Sequence, residues 1–322
     1  MNVVVIGLGS MGKRRIRLIK EFYPDFLIVG VESREDRRKE VLEQFEVKSY
    51  GSIEDVEEQI DCAFVCSSPL SHSVIISECL KRKWNVFTEL NLVSDGYEEN
   101  IKISNDNGCV LFLSSTFLYR EEIKYIQSKI SKDVKWNYVY HIGQYLPDWH
   151  PWENYKDYFV GNKATNGCRE IMAIELPWLS KAFGKISDIK SLSDKMTELN
   201  IDYNDNYMIL AEHENGNKGV LIVDVVSPVA VRKLEVYSEN KYLSWDGTPE
   251  SLKEFNTQSG KTEIVNLDEK TEHNDNYRSF IVENAYKNEI KEFFECVING
   301  KKAEYGFEED LDILNLADSL GA

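Results

Sequence analysis

Gly7-Leu8-Gly9-Ser10-Met11-Gly12 spells a GxGxxG turn. It follows the apolar run Val3-Val4-Val5-Ile6 directly and opens a helical stretch from Lys13 to Phe22. Glycines at that spacing permit a tight turn and close approach of the backbone to a pyrophosphate, which then sits on a helix N-terminus. Gly7, Gly9, Ser10, Met11 and Gly12 are therefore candidate dinucleotide-binding residues, against the plainer alternative of a structural strand-to-helix turn. The second strand ends Val31-Glu32-Ser33-Arg34. An acid about 20 residues beyond the last glycine accepts both ribose hydroxyls of NAD and repels a 2′-phosphate. Ser33 and Arg34 offer the opposite, a hydroxyl and a guanidinium for the 2′-phosphate of NADP. Successive strand residues point oppositely, so only one of Glu32 and Ser33 faces the ribose. NAD and NADP both stay open on these residues.

A second concentration of reactive side chains is Gln144-Tyr145-Leu146-Pro147-Asp148-Trp149-His150-Pro151-Trp152-Glu153. It carries an imidazole, a phenol, two carboxylates and two indoles. Indoles stack on sugar rings and carboxylates bind sugar hydroxyls in pairs. Asp148, Trp149 and Trp152 are candidate substrate contacts, and His150 and Tyr145 candidate proton carriers; the alternative is aromatic packing with a structural histidine. Arg169 and Glu170 follow Gly167 at an expected helix start. Arg169 is suited to clamp a carboxylate or phosphate, Glu170 to move a proton; the alternative is a capping ion pair. Glu175 can face either way. His141, on a strand, reads as packed, and His213 and His273, in polar surroundings, as surface residues. No spacing suits a metal site.

These residues need elements to hold them. From residue 1 to about 115 strands and helices alternate: strands at 3–6, 27–31, 62–66, 85–88 and 110–113, helices at 13–22, 37–45, 73–81 and 96–105. Repeated βαβ units imply a doubly wound parallel sheet covered on both faces. After about 118 the pattern changes. A helix at 121–130 precedes a strand at 136–142, a long loop at 144–159 and a helix at 170–182. Three β-rich segments follow near 207–213, 219–226 and 231–245, then helices at 276–298 and 307–320. Strands joined by short breaks imply a mostly antiparallel sheet. The expected domains are 1–117, binding NAD(P), and 118–322, an α/β domain for substrate and oligomerisation whose last helix packs back on the first.

The 322 residues allow two cores. The formal net charge of −17 argues against nucleic acid and anionic membrane surfaces. No apolar run reaches a membrane span, and the opening residues lack a basic, cleavable leader. Six scattered cysteines without CxxC pairs read as reduced, mostly buried thiols. A cytoplasmic location is the expectation.

Taken in order, the motifs resemble the Gfo/Idh/MocA oxidoreductases over nearly the whole chain. Cys66-Ser67-Ser68-Pro69-Leu70-Ser71-His72 resembles that family's T-P-x-x-x-H segment, and Asn85-Val86-Phe87-Thr88-Glu89-Leu90-Asn91-Leu92 its H-V-x-x-E-K-P-L segment. Asn166-Gly167-Cys168-Arg169-Glu170 and the helix to Gly184 resemble its G-G-G-x-x-x-D-x-x-x-H helix. Gly219 to Gly247 resembles its C-terminal strands, and Asn284 to Phe293 its late Y-x-x-E-x-x-x-F helix. The resemblance implies a Rossmann domain with cofactor contacts at Ser67, Ser68, Pro69, His72 and Glu89, His72 in a structural role. It implies a small sugar-type substrate and a homodimer or homotetramer built through the C-terminal sheet. Residues 145–153 with Cys168-Arg169-Glu170 further resemble a subgroup associated with bacterial surface-sugar clusters, including sialic-acid-like sugars.

The departures are at the chemistry. The family's acid–base lysine is Leu90 here, its proline Asn91, and the helix aspartate and histidine are Glu170 and Ile174. Leucine and isoleucine move no protons. Oxidising a carbinol requires a proton acceptor for its oxygen, so the expectation shifts to His150, Tyr145 or Glu170, facing the nicotinamide across a domain cleft. The expected function is NAD(P)-dependent hydride transfer on a sugar or sugar-derived acid, by net redox or by transient oxidation. Its rival is a non-catalytic NAD(P)-binding sensor or partner subunit.

Overall fold

The computed structural model describes residues 1–131, 133–267 and 282–322. They divide into two compact units, residues 1–115 with 287–314 and residues 116–286 with 315–322. The first unit begins β1 (Asn2–Ile6), α1 (Ser10–Phe22), β2 (Leu27–Val31), α2 (Glu35–Phe45) and β3 (Ser49–Tyr50). It continues β4 (Cys62–Val65), α3 (His72–Lys81), β5 (Asn85–Thr88), α4 (Tyr97–Asn107) and β6 (Leu111–Leu113). The strands form one sheet in the order β3-β2-β1-β4-β5-β6, and every described pairing in it is parallel. This is the doubly wound order of dinucleotide-binding sheets, whose connections reverse direction between β1 and β4. Val3, Val4 and Val5 are fully buried, which is why the strand is apolar without alternation.

The second unit holds α5 (Glu121–Lys129), β7 (Asn137–Gly143), α6 (Gly167–Phe183), β8 (Ile186–Asp194), β9 (Asn206–His213) and β10 (Lys218–Asp224). It continues β11 (Val231–Ser238), β12 (Lys241–Trp245), β13 (Lys253–Asn256) and β14 (Lys261–Ile264). These strands form a sheet in the order β14-β13-β12-β11-β7-β10-β9-β8. Among the described pairings of this sheet only β7–β10 is parallel, so the sheet is mostly antiparallel. The last helices are α7 (Glu283–Asn299) and α8 (Phe307–Ser319). The part of the expected 276–298 helix before residue 282, and His273, lie outside the described residues. Among the described residues no helix is long and apolar enough to cross a membrane.

Residues 287–314 group with the first unit, where the expectation was a second domain of 118–322 whose last helix packs back on the first, and the reason is packing. Phe64, Phe87 and Phe112, on neighbouring strands, stack at 4.7 and 5.3 Å. Phe293 of α7 meets all three edge-on at 5.2–5.7 Å. Tyr97 of α4 likewise meets Phe307 and donates to Asp310 of α8. Beside the aromatic layer Arg15 is fully buried. It pairs with Glu89 at 2.6 Å and with Glu289 of α7 at 2.8 Å, while Glu289 also accepts from Ser114 and the Ser115 amide. Burial opposes the guanidinium charge, but the two carboxylates outweigh it and raise the Arg15 pKa. Arg15→Ala strands buried carboxylate charge and is expected to destabilise the protein by about 3–5 kcal/mol. Denaturant unfolding checks this; a loss below about 1 kcal/mol, the value of a surface pair, would show that the network does not hold α7.

In the second unit β9 alternates strictly, with Tyr207, Ile209, Ala211 and His213 buried and Met208 and Leu210 exposed. The buried face packs on α6, whose Met172, Trp178, Leu179 and Phe183 are fully enclosed. Glu175, which the sequence left to either side, is wholly buried. It accepts from Arg232, Tyr140 and Trp178 and is structural. His213 was expected at the surface and is instead 1% exposed, bonded to the Gly184 carbonyl and to Tyr138. Strand alternation overrides the polarity of its neighbours. His141 is partly exposed and bonds Asp224 at 2.7 Å.

Candidate functional site

In the first unit the cofactor candidates converge where β1 meets α1. Gly7 has φ +92°, and a Cβ there would lie 2.7 Å from the Cys66 carbonyl oxygen. A Cβ on Gly12 would lie 2.0 Å from the Gly7 carbonyl. These two glycines are required by the turn itself. Gly9 differs: its φ is −74° and its nearest neighbour would be an Arg37 guanidinium nitrogen at 3.7 Å. No side chain caps α1, so the amides of its first turn, from Ser10, Met11 and Gly12, meet an open approach over Gly9. The residues present fit a dinucleotide: an uncapped helix start, room above Gly9 and an acid beside the turn.

That acid is Glu32. Its carboxylate accepts from the Leu8 amide inside the turn at 3.1 Å and from the Arg34 amide at 3.2 Å. Arg37 lies 3.4 Å away. Burial pushes its pKa up, but the two amides and Arg37 outweigh it, and the group stays a carboxylate. Ser33 bonds to the same carboxylate, and Arg34 is exposed and paired with Asp36 at 2.6 Å. Arg37, which no motif marks, is the cation beside the turn. An acid at this place accepts ribose hydroxyls and disfavours a 2′-phosphate. Glu32→Ala is expected to weaken NAD by about 1.5–3 kcal/mol, the loss of charge-assisted bonds, and to narrow the gap to NADP. Fluorescence titration with both nucleotides checks it, and an unchanged ratio would remove Glu32 as selector.

The remaining cofactor candidates surround the same sheet edge. Ser67, Ser68 and Pro69 form the turn after β4, where Ser71 bonds back to Ser67. His72 is buried, with one ring nitrogen on Asn91 at 2.6 Å and the other on the Ser67 carbonyl at 2.9 Å. Both nitrogens are used within the protein and burial lowers the pKa. His72 therefore ties the 67–69 turn to Asn91 rather than offering a nitrogen to the cofactor. Glu89 is likewise engaged, held by two bonds from Arg15, which changes it from an expected cofactor contact to part of the buried network.

In the second unit the loop after β7 and the start of α6 form one assembly. Asn166 caps α6 by accepting from the Arg169 amide at 2.9 Å. A Cβ on Gly167 would press on Val225, Leu146 and Trp149, so glycine allows the loop to close on the helix. Trp149 donates to the Gln144 carbonyl. Tyr145 and Asp148 lie at the ends of the short turn 146–148, and Asp148 is exposed. Trp152 is 77% exposed. His150 stacks on Trp152 at 5.2 Å and on Tyr158 at 4.5 Å, and Glu153 holds its Nδ1 at 2.8 Å.

Arg169 and Glu170 separate in role. Arg169 is 4% exposed and bonds Asp318 and the Ala322 carbonyl at 2.6 and 2.7 Å. Its guanidinium is committed within the fold, a correction to the expected substrate clamp. Glu170 keeps part of its surface open, but Oε2 is buried without a hydrogen-bond partner. Burial alone pushes its carboxyl up to about 7. A carboxyl poised there can both take and return a proton at neutral pH. The Tyr158 hydroxyl, which no motif marked, is also buried and unpartnered.

Residues 1–114 match the family model described as the Gfo/Idh/MocA oxidoreductase family with an NAD-binding Rossmann fold. The chain is 35% identical over 92 residues to the myo-inositol 2-dehydrogenase of Thermotoga maritima. That match spans 28% of this chain and 28% of the relative. In fold the chain is similar to an oxidoreductase from Agrobacterium radiobacter crystallised with NAD+, L-tartaric acid and magnesium. The TM-score is 0.79 at 11% identity, over 99% of this chain and 94% of that one. It is also similar to the UDP-N-acetylglucosamine 3-dehydrogenase of Acidithiobacillus ferrooxidans. There the TM-score is 0.78 at 13% identity, over 99% and 96% of the two chains.

Proposed function

We propose, from an N-terminal domain that matches the Gfo/Idh/MocA oxidoreductase model, that this chain is an NAD-dependent oxidoreductase acting on a sugar or sugar-derived substrate. The single observation that carries the reading is Glu170, whose Oε2 is buried without a hydrogen-bond partner, burial pushing the carboxyl up to about 7, in a chain whose first domain carries the dinucleotide turn. A dinucleotide held there by its pyrophosphate would supply a nicotinamide able to accept or return a hydride. The protein's part is the proton. Glu170 takes it from the carbinol oxygen during oxidation and gives it back during reduction, replacing the groups that Leu90 and Ile174 cannot supply. Glu32 fixes the ribose, and the His150–Trp152 platform stacks the apolar face of a ring. Of the proteins named above two are dehydrogenases and the third an oxidoreductase, which favours catalysis over the sensor reading. The loop's likeness to surface-sugar clusters supports a sugar substrate.

Mixing the protein with NAD+ and a panel of sugars, polyols and sugar acids tests this through the absorbance of reduced nicotinamide. Saturable growth with at least one class is expected. No growth with any, alongside tight cofactor binding, favours the sensor.

The open face of the second sheet supports self-association. Val139, Val220 and Leu210 lie in one cross-strand row, and Ile222, Met208 and Leu192 in the next. Leu192 and Leu210 are 78% and 57% exposed, a large apolar patch for a folded chain. Leu210→Asp is expected to convert a dimer to monomers in sedimentation; a wild type already monomeric at micromolar concentration would contradict the assembly.

A further inference from the structure

Several buried polar side-chain atoms of the second unit lack a hydrogen-bond partner, Gln127 Nε2 and Trp136 Nε1 among them, and two more lie on the loop and helix described above. Tyr158 Oη and Glu170 Oε2 are both buried, and neither has a hydrogen-bond partner. They are close enough that the Glu170 charge adds to the burial that raises the phenol's pKa. Folded proteins satisfy buried polar groups almost without exception, and an exception calls for a missing partner. A neutral carboxyl and a phenol each donate and accept, so one hydroxyl placed between them completes both. The ring of Tyr158 continues into a platform, with His150 stacked on it and Trp152 stacked on His150.

The charges nearby narrow what can arrive. Asp148, Glu153 and Asp157 are exposed on this segment. Arg169, the cation nearest Glu170 in sequence, is held by Asp318 and the Ala322 carbonyl. Lys156 and Lys163 are exposed, and the Lys156 ammonium lies over the Tyr155 ring at 6.0 Å. A carboxylate or phosphate would bring a second negative charge beside Glu170 whenever its carboxyl is ionised, and the described cations of this segment are held elsewhere or exposed.

We propose that Tyr158 and Glu170 together hold one hydroxyl of an uncharged or amine-bearing polyol, seated on the His150–Trp152 platform. Tyr158 is thereby a substrate-binding residue for the reaction proposed above, on which this inference rests. The ligand class is neutral or aminated sugar, and the sugar-acid branch of the expectation falls away.

The test uses the full chain saturated with NAD+ at pH 7. Calorimetry and tyrosine ultraviolet difference spectra are recorded with myo-inositol, D-glucose, D-glucosamine, D-gluconate and N-acetylneuraminate. At least one of the first three is expected to bind and to perturb a tyrosine, with both acids at least tenfold weaker. Tyr158→Phe is expected to weaken that binding at least tenfold and erase the tyrosine signal. Glu170→Gln, which still donates and accepts, is expected to keep it within a few-fold. Tighter binding of either acid overturns the inference. So does binding of none of the three, or unchanged binding by Tyr158→Phe. A polyol that binds through Tyr158 without reducing NAD+ leaves the clamp standing and removes the redox reading, so the two failures are distinct.

Discussion

Gly9→Val abolishes saturable NAD(H) binding while the protein stays folded, with its thermal midpoint moved by no more than a few degrees. The three glycines of the turn are unequal. Gly7 and Gly12 are pinned by backbone contacts of 2.7 and 2.0 Å that any Cβ would violate, so substitution there confounds folding with binding. Gly9 has an ordinary negative φ and only a 3.7 Å contact awaiting a Cβ. Nothing in the protein demands glycine at that position. The demand comes from the pyrophosphate, which must approach the backbone more closely than a branched side chain allows. Fluorescence titration with NADH, paired with thermal unfolding, separates the two effects. Unchanged affinity would move the pyrophosphate away from this turn. Loss of folding would make Gly9 a structural glycine like its neighbours.

Glu170→Gln lowers the hydride-transfer step by roughly 10²–10⁴-fold, the size of a general-base contribution, and leaves cofactor affinity unchanged. Burial holds the carboxyl near 7. Oxidation needs the ionised form, so its rate rises with pH through that value and levels off above it. Reduction runs the other way, and the glutamine variant shows neither ionisation. Stability carries the same signature with a definite sign. The folded state holds the Glu170 proton more tightly than the unfolded chain. Between the ordinary glutamate pKa and about 7 the native state therefore binds more protons, and stability falls as pH rises through that window. Glu170→Gln removes this slope. A variant with near-normal turnover would show that the proton leaves by another path. His150 is the weaker candidate, because Glu153 holds its Nδ1 and its side chain is 39% exposed. His150→Ala acts through the stacking platform and costs less.

The first unit was legible because its signals are local. A strand, a glycine turn and a helix within residues 2–22, repeated as βαβ, determine a doubly wound sheet. The start of α6 was legible for the same reason, with Gly167 marking it. What escaped depends on distance or solvent. β8 was missed because Ile186–Asp194 is polar and mostly exposed, an edge strand without the alternation that marks half-buried ones. His213 was misread although the period of β9 carried the signal: 207, 209, 211 and 213 share a face. The network of Arg15, Glu89 and Glu289 joins residues 74 and 274 positions apart, and no spacing rule reaches that far. Glu89 consequently looked like a cofactor contact. Arg169 looked free for substrate because its partner Asp318 comes from the far end of the chain. Tyr158 carried no signal at all, since an unpartnered hydroxyl is a property of packing.

Hydride transfer from a carbinol carbon, with Glu170 taking the oxygen's proton, is measured most directly by isotope transfer. The protein is mixed with NAD+ and a carbon-deuterated form of a polyol that binds, and the reduced cofactor is weighed by mass spectrometry. One deuterium is expected to be gained per cofactor, and far more slowly with Glu170→Gln. Cofactor recovered unreduced and unlabelled, from protein that binds both molecules, would contradict it.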